Sequence, residues 1–292
     1  MPYHLLAHPV CWLLTCSLAV GGLAASATAE EPGSVTFGAV APRVGDRVDQ
    51  QIHLQLLTTA RVRRGAELLK ETESDVVNAH RRRVTTTEIS QNRSIGVTIN
   101  YGKATDEVIA GKTYHCRRDG EALRIVNQQG QIPEPAEFKI VARHMKMLGK
   151  PNPLANFLRG KTIAPGQTLE VPGEIAAALF GSRKFDNVER FRLMLDKTLV
   201  VDGQPFAKFK AEIHVTSLDG SQTRIEIAGP MVVEVATSQV TSTELFGPIA
   251  MLRSIADPAG RLQASASGRF SVSLQSERRY SLTAAGGDRW HR

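Results

Sequence analysis

Apolar residues along this chain recur at two spacings, every second residue or every third to fourth, and the switches between them divide it. From Val48 to Leu56, Ile52, Leu54 and Leu56 alternate with Gln51, His53 and Gln55. A strand sends successive side chains to opposite faces, so this spacing sets an apolar row against a polar one. Residues 61–90 fit either pattern. Leu69, Val76 and Val77 could mark a helix, but Val84-Thr85-Thr86-Thr87 is a β-branched run that loses rotamer freedom in helices. Long, polar strands are expected there. Alternation resumes at Ile95, Val97, Ile99 and Tyr101, and Leu123 to Val126 makes a short strand between turn signals at Gly120 and Gly130.

Helical spacing takes over in the middle. After Pro133 and Pro135, the residues Phe138, Val141, Met145 and Leu148 lie on one helical face, with Gly149 as the stop. Asn152-Pro153 is an N-cap and first-turn pair, opening a short helix with Leu154, Phe157 and Leu158 that Gly160 closes. Pro165-Gly166 is a turn, and Pro172-Gly173 precedes a helix from Glu174 to Phe180. Beyond it the period of two returns. Phe191, Leu193, Leu195, Leu199 and Val201 form one apolar row, followed by the turn Asp202-Gly203 and a second row of Phe209, Ala211, Ile213 and Val215. Asp219-Gly220 leads to Ile225, Ile227, Val233 and Val235, with a bulge or bend expected at Gly229-Pro230. The last row runs from Leu262 through Phe270, Val272 and Leu274 to Tyr280 and Leu282. It is long enough that a bend is expected at Gly268.

Strands with one apolar and one polar face belong to antiparallel sheets covered on one side. The expected fold is therefore α+β, a large curved antiparallel β-sheet with short helices packed on one face. The alternative is an all-β sandwich or barrel with a helical insertion. In this reading residues 30–45 are a linker or arm and 46–282 a single domain. That domain has strands over 46–130, a helical middle over 133–181 and strands over 186–282. Residues 283–292 form a disordered tail.

Ahead of these elements, no Asp, Glu, Lys or Arg occurs from Met1 to Ala29. Val10 to Ala25 is almost wholly apolar and ends in Ser26-Ala27-Thr28-Ala29, with small residues at the −3 and −1 positions of a cut after Ala29. Residues 1–29 thus read as a cleavable signal peptide, although only His4, His8 and the terminal amine supply its positive end. The apolar run falls short of the roughly 20 residues a spanning helix needs. A lipid-modified Cys16 would not be followed by further apolar sequence. The remainder is expected to be exported, to the periplasm or outside the cell, with no transmembrane segment.

The composition then narrows the chemistry. The net charge is +7, and of the three cysteines Cys11 and Cys16 leave with the signal, so no internal disulfide is expected. H-E-x-x-H, G-x-S-x-G, the P-loop and G-x-G-x-x-G are all missing from the sequence. The adjacent pair His115-Cys116 points to opposite faces of a strand and would not chelate one ion, so neither a metal nor a cofactor is expected. Cys116, in Tyr114-His115-Cys116-Arg117-Arg118, is the candidate reactive thiol, because neighbouring cations favour a thiolate. The basic clusters give the candidate ligand-binding residues Arg81, Arg82, Arg83, Arg117 and Arg118, since a guanidinium holds phosphate or carboxylate in a fork. No catalytic residue is assigned.

Leu158-Arg159-Gly160-Lys161, Pro165-Gly166-Gln167-Thr168 and Ile175 to Gly181 resemble a segment of uncharacterised exported proteins of planctomycete-type bacteria. Leu169 stands where those proteins often have Trp. The resemblance implies an envelope location and carries no activity. The expected function is a β-rich envelope binding protein without catalysis. Its partner would be a lipid or other amphiphile, an anionic envelope polymer or a protein, and not nucleic acid. The alternatives are a structural or assembly protein, and an envelope hydrolase in which Cys116 meets His144 or His214.

Overall fold

The computed structural model describes residues 33–103, 108–180, 187–216, 222–255 and 261–280. The expected signal peptide and the expected tail lie outside these residues. The first half holds strands β1 (Val35–Thr36), β2 (Arg47–Arg64), β3 (Glu67–Ser90), β4 (Arg93–Tyr101), β5 (Thr113–Asp119) and β6 (Ala122–Asn127). Helix α1 (Pro135–His144), helix α2 (Pro153–Leu158), β7 (Thr162–Ile163), β8 (Thr168–Glu170) and helix α3 (Gly173–Phe180) form the middle. Strands β9 (Asn187–Val201), β10 (Gln204–Thr216), β11 (Gln222–Glu234), β12 (Gln239–Ile255) and β13 (Leu262–Arg279) complete it.

Eleven of these strands join in one open antiparallel sheet in the order β6-β5-β4-β3-β2-β13-β12-β11-β10-β9-β8. The chain is thus strand-rich, as its alternation predicts. The ambiguous stretch 61–90 is strand on both sides of a turn at Gly65-Ala66, where the Gly65 φ of +57° suits a residue without a Cβ.

Two apolar cores lie on this sheet. One joins α1 to β4, β5 and β6 through Val141, Met145, Ile99, Tyr114, Cys116 and Ile125. The other joins α2 and α3 to β9–β12 and includes Leu158, Ile163, Phe191, Phe209 and Ile213. Helix α2 starts as its sequence requires. The Asn152 side chain accepts from the Ala155 N–H at 3.2 Å, and Pro153 fills the first turn, where no N–H is wanted.

Between Gly229, Gly247 and Gly268 the central strands come unusually close. A Cβ on Gly247 would lie 1.8 Å from the Glu226 carbonyl oxygen, and one on Gly268 1.8 Å from that of Leu57. At Gly229 the corresponding gap to the Glu244 oxygen is 2.0 Å. These three positions on β11, β12 and β13 line up across the sheet where only glycine fits, and include the two sites where the sequence predicts a bend.

Four expectations change in detail. The segment read as an arm is docked within its described part: β1 pairs with β7, and Phe37 is buried against Phe209 with ring centroids 6.0 Å apart. Helix α1 stops at His144, and its C-cap Met145 leaves helical geometry four residues before Gly149. Val201 is exposed, because a register shift between Lys208 and Phe209 breaks the apolar row of β9 beyond Leu195. Strand β12 was not visible in the sequence, because Gly247-Pro248 reads as a turn. Pro248, which has no N–H, lies where β12 has no registered partner on β11, between the pairs Ala228↔Phe246 and Ile225↔Ile249.

Candidate functional site

The register of β3 decides which of its arginines face the cores. Val84 pairs with Ile99, Thr86 with Val97 and Arg82 with Tyr101, and all three β4 residues are buried. Directly opposed residues of an antiparallel pair share a face, so His80, Arg82, Val84 and Thr86 lie on the helix-covered side. Carried across the sheet, the same register puts Val48, Gln50, Ile52, Leu54 and Leu56 of β2 on that face. It also puts Phe270, Val272, Leu274, Ser276 and Arg278 of β13 there. Ile52, Leu54, Leu56 and Leu274 are half-buried and belong to neither core. They form an apolar floor between the two cores.

At one end this floor meets a cleft of about 590 Å³. Its walls are Ala39 to Pro42, the segment from His144 to Pro153, the start of α2, and the turn at Thr237 and Gln239. Val48, Gln50, Arg82, Val84 and Arg278 form its base. Arg93, Arg159 and Lys150 also line it, whereas Asp46 is the one carboxylate in its lining, among the described residues.

The two base arginines are held by neutral groups. Arg82 Nε donates to Gln50 Oε1 at 2.9 Å, and its guanidinium also bonds Tyr101. Arg278 donates to Gln239 Oε1 and lies over the Tyr280 ring, 5.8 Å from its centroid. Among the described residues neither makes an ion pair with a carboxylate. They stand on the two strands flanking β2, two residues out of step, so their backbones are ~12 Å apart. Burial lowers the Arg82 pKa, and Tyr101 opposes that shift.

The other sequence-selected arginines do not join them. Arg83 lies on the opposite face and pairs with Asp49 at 2.6 Å. Arg117, also on that face, holds Glu88 by two bonds of 2.7 and 3.1 Å. Arg81 is exposed there too. Arg118 faces the helix side but donates to the carbonyls of Leu148, Lys146 and Glu121 at 3.0, 2.9 and 2.8 Å, tying down the chain after α1. Arg82 alone of the five lines the cleft. Arg278, in the dipeptide Arg278-Arg279, was not among the candidates drawn from the sequence. The available signal was parity, since Arg82 falls in step with Val84, and Arg278 with Phe270, Val272 and Leu274, in rows that are otherwise apolar or uncharged.

Beside Arg82 the rings of His80 and His144 stack with centroids 4.6 Å apart. Tyr101 Oη lies 2.9 Å from His144 Nδ1. Both ring nitrogens of His80 are buried without a partner among the described residues. Burial first, then the Arg82 charge, pushes the His80 pKa down to about 4 and the His144 pKa down to about 3. Cys116 is buried in the α1 core, and burial pushes its thiol up to about 12, away from a reactive thiolate. His115 points to the other face and bonds Thr98 at 3.0 Å. Among the described residues no group of three His, Cys, Asp or Glu could hold a metal, and no helix is long and apolar enough to cross a membrane.

No protein-family model matches the chain, and no curated protein matches it. Among solved structures it is similar to the InvG secretin domain β-barrel of the Salmonella SPI-1 injectisome. That match has 7% identity and a TM-score of 0.18, and covers 83% of this chain and 66% of that one, just under two thirds of its length. The Pseudomonas aeruginosa MucA/MucB complex matches at 6% identity and a TM-score of 0.19, covering 74% of this chain and 88% of that one. MucB in complex with MucA(peri) matches at 8% identity and a TM-score of 0.17, with the same coverage. At these scores the likenesses carry no part of the argument.

Proposed function

We propose that this is an exported envelope protein that binds an amphiphile with an anionic head group and does no chemistry on it. The head group sits in the cleft between Arg82 and Arg278, and the apolar part lies along the floor of Ile52, Leu54, Leu56 and Leu274. In this reading the molecule is α+β, the helices covering the two ends of a curved sheet and leaving its middle to the ligand. The leader read at 1–29 supports an address in the periplasm or outside the cell.

One contrast carries the reading. Arg83 and Arg117 on the far face are neutralised by carboxylates, whereas Arg82 and Arg278 on the cleft side are held by amides and phenols. An amide orients a guanidinium without cancelling its charge, so both stay ready for a phosphate or carboxylate. The adjoining floor is uncharged and apolar, which suits the other half of an amphiphile. A hydrophilic anionic polymer would use the arginines and leave the floor empty.

The test is native mass spectrometry of the whole chain purified without detergent, with organic extraction of any bound mass, followed by titration with anionic and zwitterionic detergents below their micelle concentrations. The anionic series is expected to bind. Arg82→Gln and Arg278→Gln should each weaken it roughly 10-fold, the value of one charge-assisted hydrogen bond. Equal binding of the two head-group classes, or no effect of either substitution, would refute the reading.

A further inference from the structure

Strand β3 is paired on both sides over only part of its length. Strand β2 registers with it from Glu67 to Thr85, but β4 registers only from Arg82 to Ser90. Among the described residues no strand runs along this second side between Glu67 and Arg81. The Arg81 carbonyl accepts the Gly102 N–H at 2.7 Å, so the odd-numbered residues point their backbone groups to that side. The register with β2 is unbroken from Lys70 to Arg81. Glu71, Glu73, Asp75, Val77 and Ala79 therefore present their N–H and C=O groups along an open edge of ~30 Å. No proline interrupts it. Long straight edges of this kind are templates for another strand.

Charge indicates what fits. Glu71, Glu73 and Asp75 follow one another on one face of the edge. Arg61 answers Glu71 at 2.7 Å, while among the described residues Asp75 receives only the Gln55 amide, at 3.1 Å, and Glu73 stands across from Thr59. On the other face Thr72, Ser74 and Val76 are uncharged. A second copy of this chain is a poor occupant of the acidic stretch from Glu71 to Asp75. Two-fold antiparallel pairing of β3 with itself, centred anywhere from Lys70 to Asp75, sets two carboxylates directly opposite each other, which is destabilising.

We propose that the edge of β3 from Glu71 to Ala79 takes an added strand from a partner protein, an extended segment with Lys or Arg at alternate positions and uncharged residues between them. The backbone ladder supplies affinity, and the alternating cations facing Glu71, Glu73 and Asp75 supply selectivity. This site lies apart from the cleft and does not depend on it.

The probe is a ten-residue peptide alternating Lys with Val and Thr, with a charge-reversed Glu peptide as control. Residue-resolved hydrogen exchange on the whole chain reads the result. The Lys peptide is expected to slow exchange at Glu71, Glu73, Asp75, Val77 and Ala79 in a saturable way, and the Glu peptide to leave them unchanged. Glu73→Pro removes an N–H that points to the edge rather than to β2, so it should weaken the peptide at least 10-fold. The double charge reversal Glu73→Lys with Asp75→Lys keeps the backbone intact and should reverse the preference between the peptides. Arg82→Gln should change neither. The proposal fails if the edge amides exchange freely in saturating Lys peptide, or if both sets of edge variants bind as the parent does. It also fails if the amides become protected with protein concentration alone, which would make a second copy the occupant.

Discussion

Among the described residues neither ring nitrogen of His80 has a partner, although both are buried, and its ring stacks on another imidazole. With pKa values of about 4 and about 3 against an ordinary 6.5, His80 and His144 stay neutral in the fold when the unfolded chain has begun to protonate. Between pH 6.5 and about 3 the unfolded state therefore binds more protons, and stability falls as pH drops through that window. It is fully retained above it. Both rings are only half-buried, so a discounted figure on the order of 1–3 kcal/mol for the pair at pH 5 is appropriate. His80→Phe keeps the stacked ring and removes two unsatisfied polar atoms, a change that can be neutral or stabilising. It should leave the pH 7 stability within about 1 kcal/mol and reduce the loss at pH 5. Urea unfolding at the two pH values checks this, and an unchanged acid loss would show that the histidines are not its source. The residue scale is also where the sequence was least legible. Arginine dipeptides and triplets draw the eye, but neighbours on a strand face opposite ways, so Arg81, Arg82 and Arg83 cannot act together. The useful question was which cation kept step with apolar residues.

Elements were more legible than residues, and where reading failed the reason is local. Alternation located β2, β4 and β9 to β11 because each has one wet and one dry face. The same rule reached β3 against a competing helical stripe, because β-branched Val84 to Thr87 disfavoured the helix. It missed β12, since a strand that crosses a line of close contact carries Gly247-Pro248 in its middle and looks like two short pieces. The docked segment at Val35 to Phe37 was missed because three residues are too few to show a period. The close-contact line itself makes a prediction. Gly268→Ala puts a Cβ against the Leu57 carbonyl, which is backbone and cannot swing aside, and Gly247→Ala does the same at Glu226. Each should cost about 3 kcal/mol, through forced separation of two paired strands. Gly65→Ala meets nothing within 4 Å and suffers only from its φ of +57°, so it should cost about 1 kcal/mol. Denaturant midpoints of the three variants rank these costs. If Gly268→Ala proved as mild as Gly65→Ala, the strands would not be in the close approach described.

For the whole molecule, the question is whether cleft and floor act as one site. If they do, a ligand engages two physically different surfaces, and each should leave its own signature. The apolar part should contribute per methylene, ~0.8 kcal/mol for each one removed from water. Affinity in a homologous series of alkyl anions should therefore climb steadily with chain length. It should stop climbing when the chain outruns the floor, since Ile52 to Leu56 spans four residue steps, roughly 13 Å, before the strands reach the line of Gly268. The head group should contribute a term independent of length but sensitive to salt, because Arg82 and Arg278 line a cleft that is open on one side rather than a sealed core. Calorimetry of such a series at low and high salt separates the two. A slope with length that survives in Arg82→Gln, together with a salt dependence that shrinks there, is the expected pair of results. Leu54→Glu should do the reverse, removing the length dependence while a short-chain anion still binds. Were chain length to have no effect in the parent protein, the floor would be only the inner side of a sheet, and the cleft an anion site that needs no lipid.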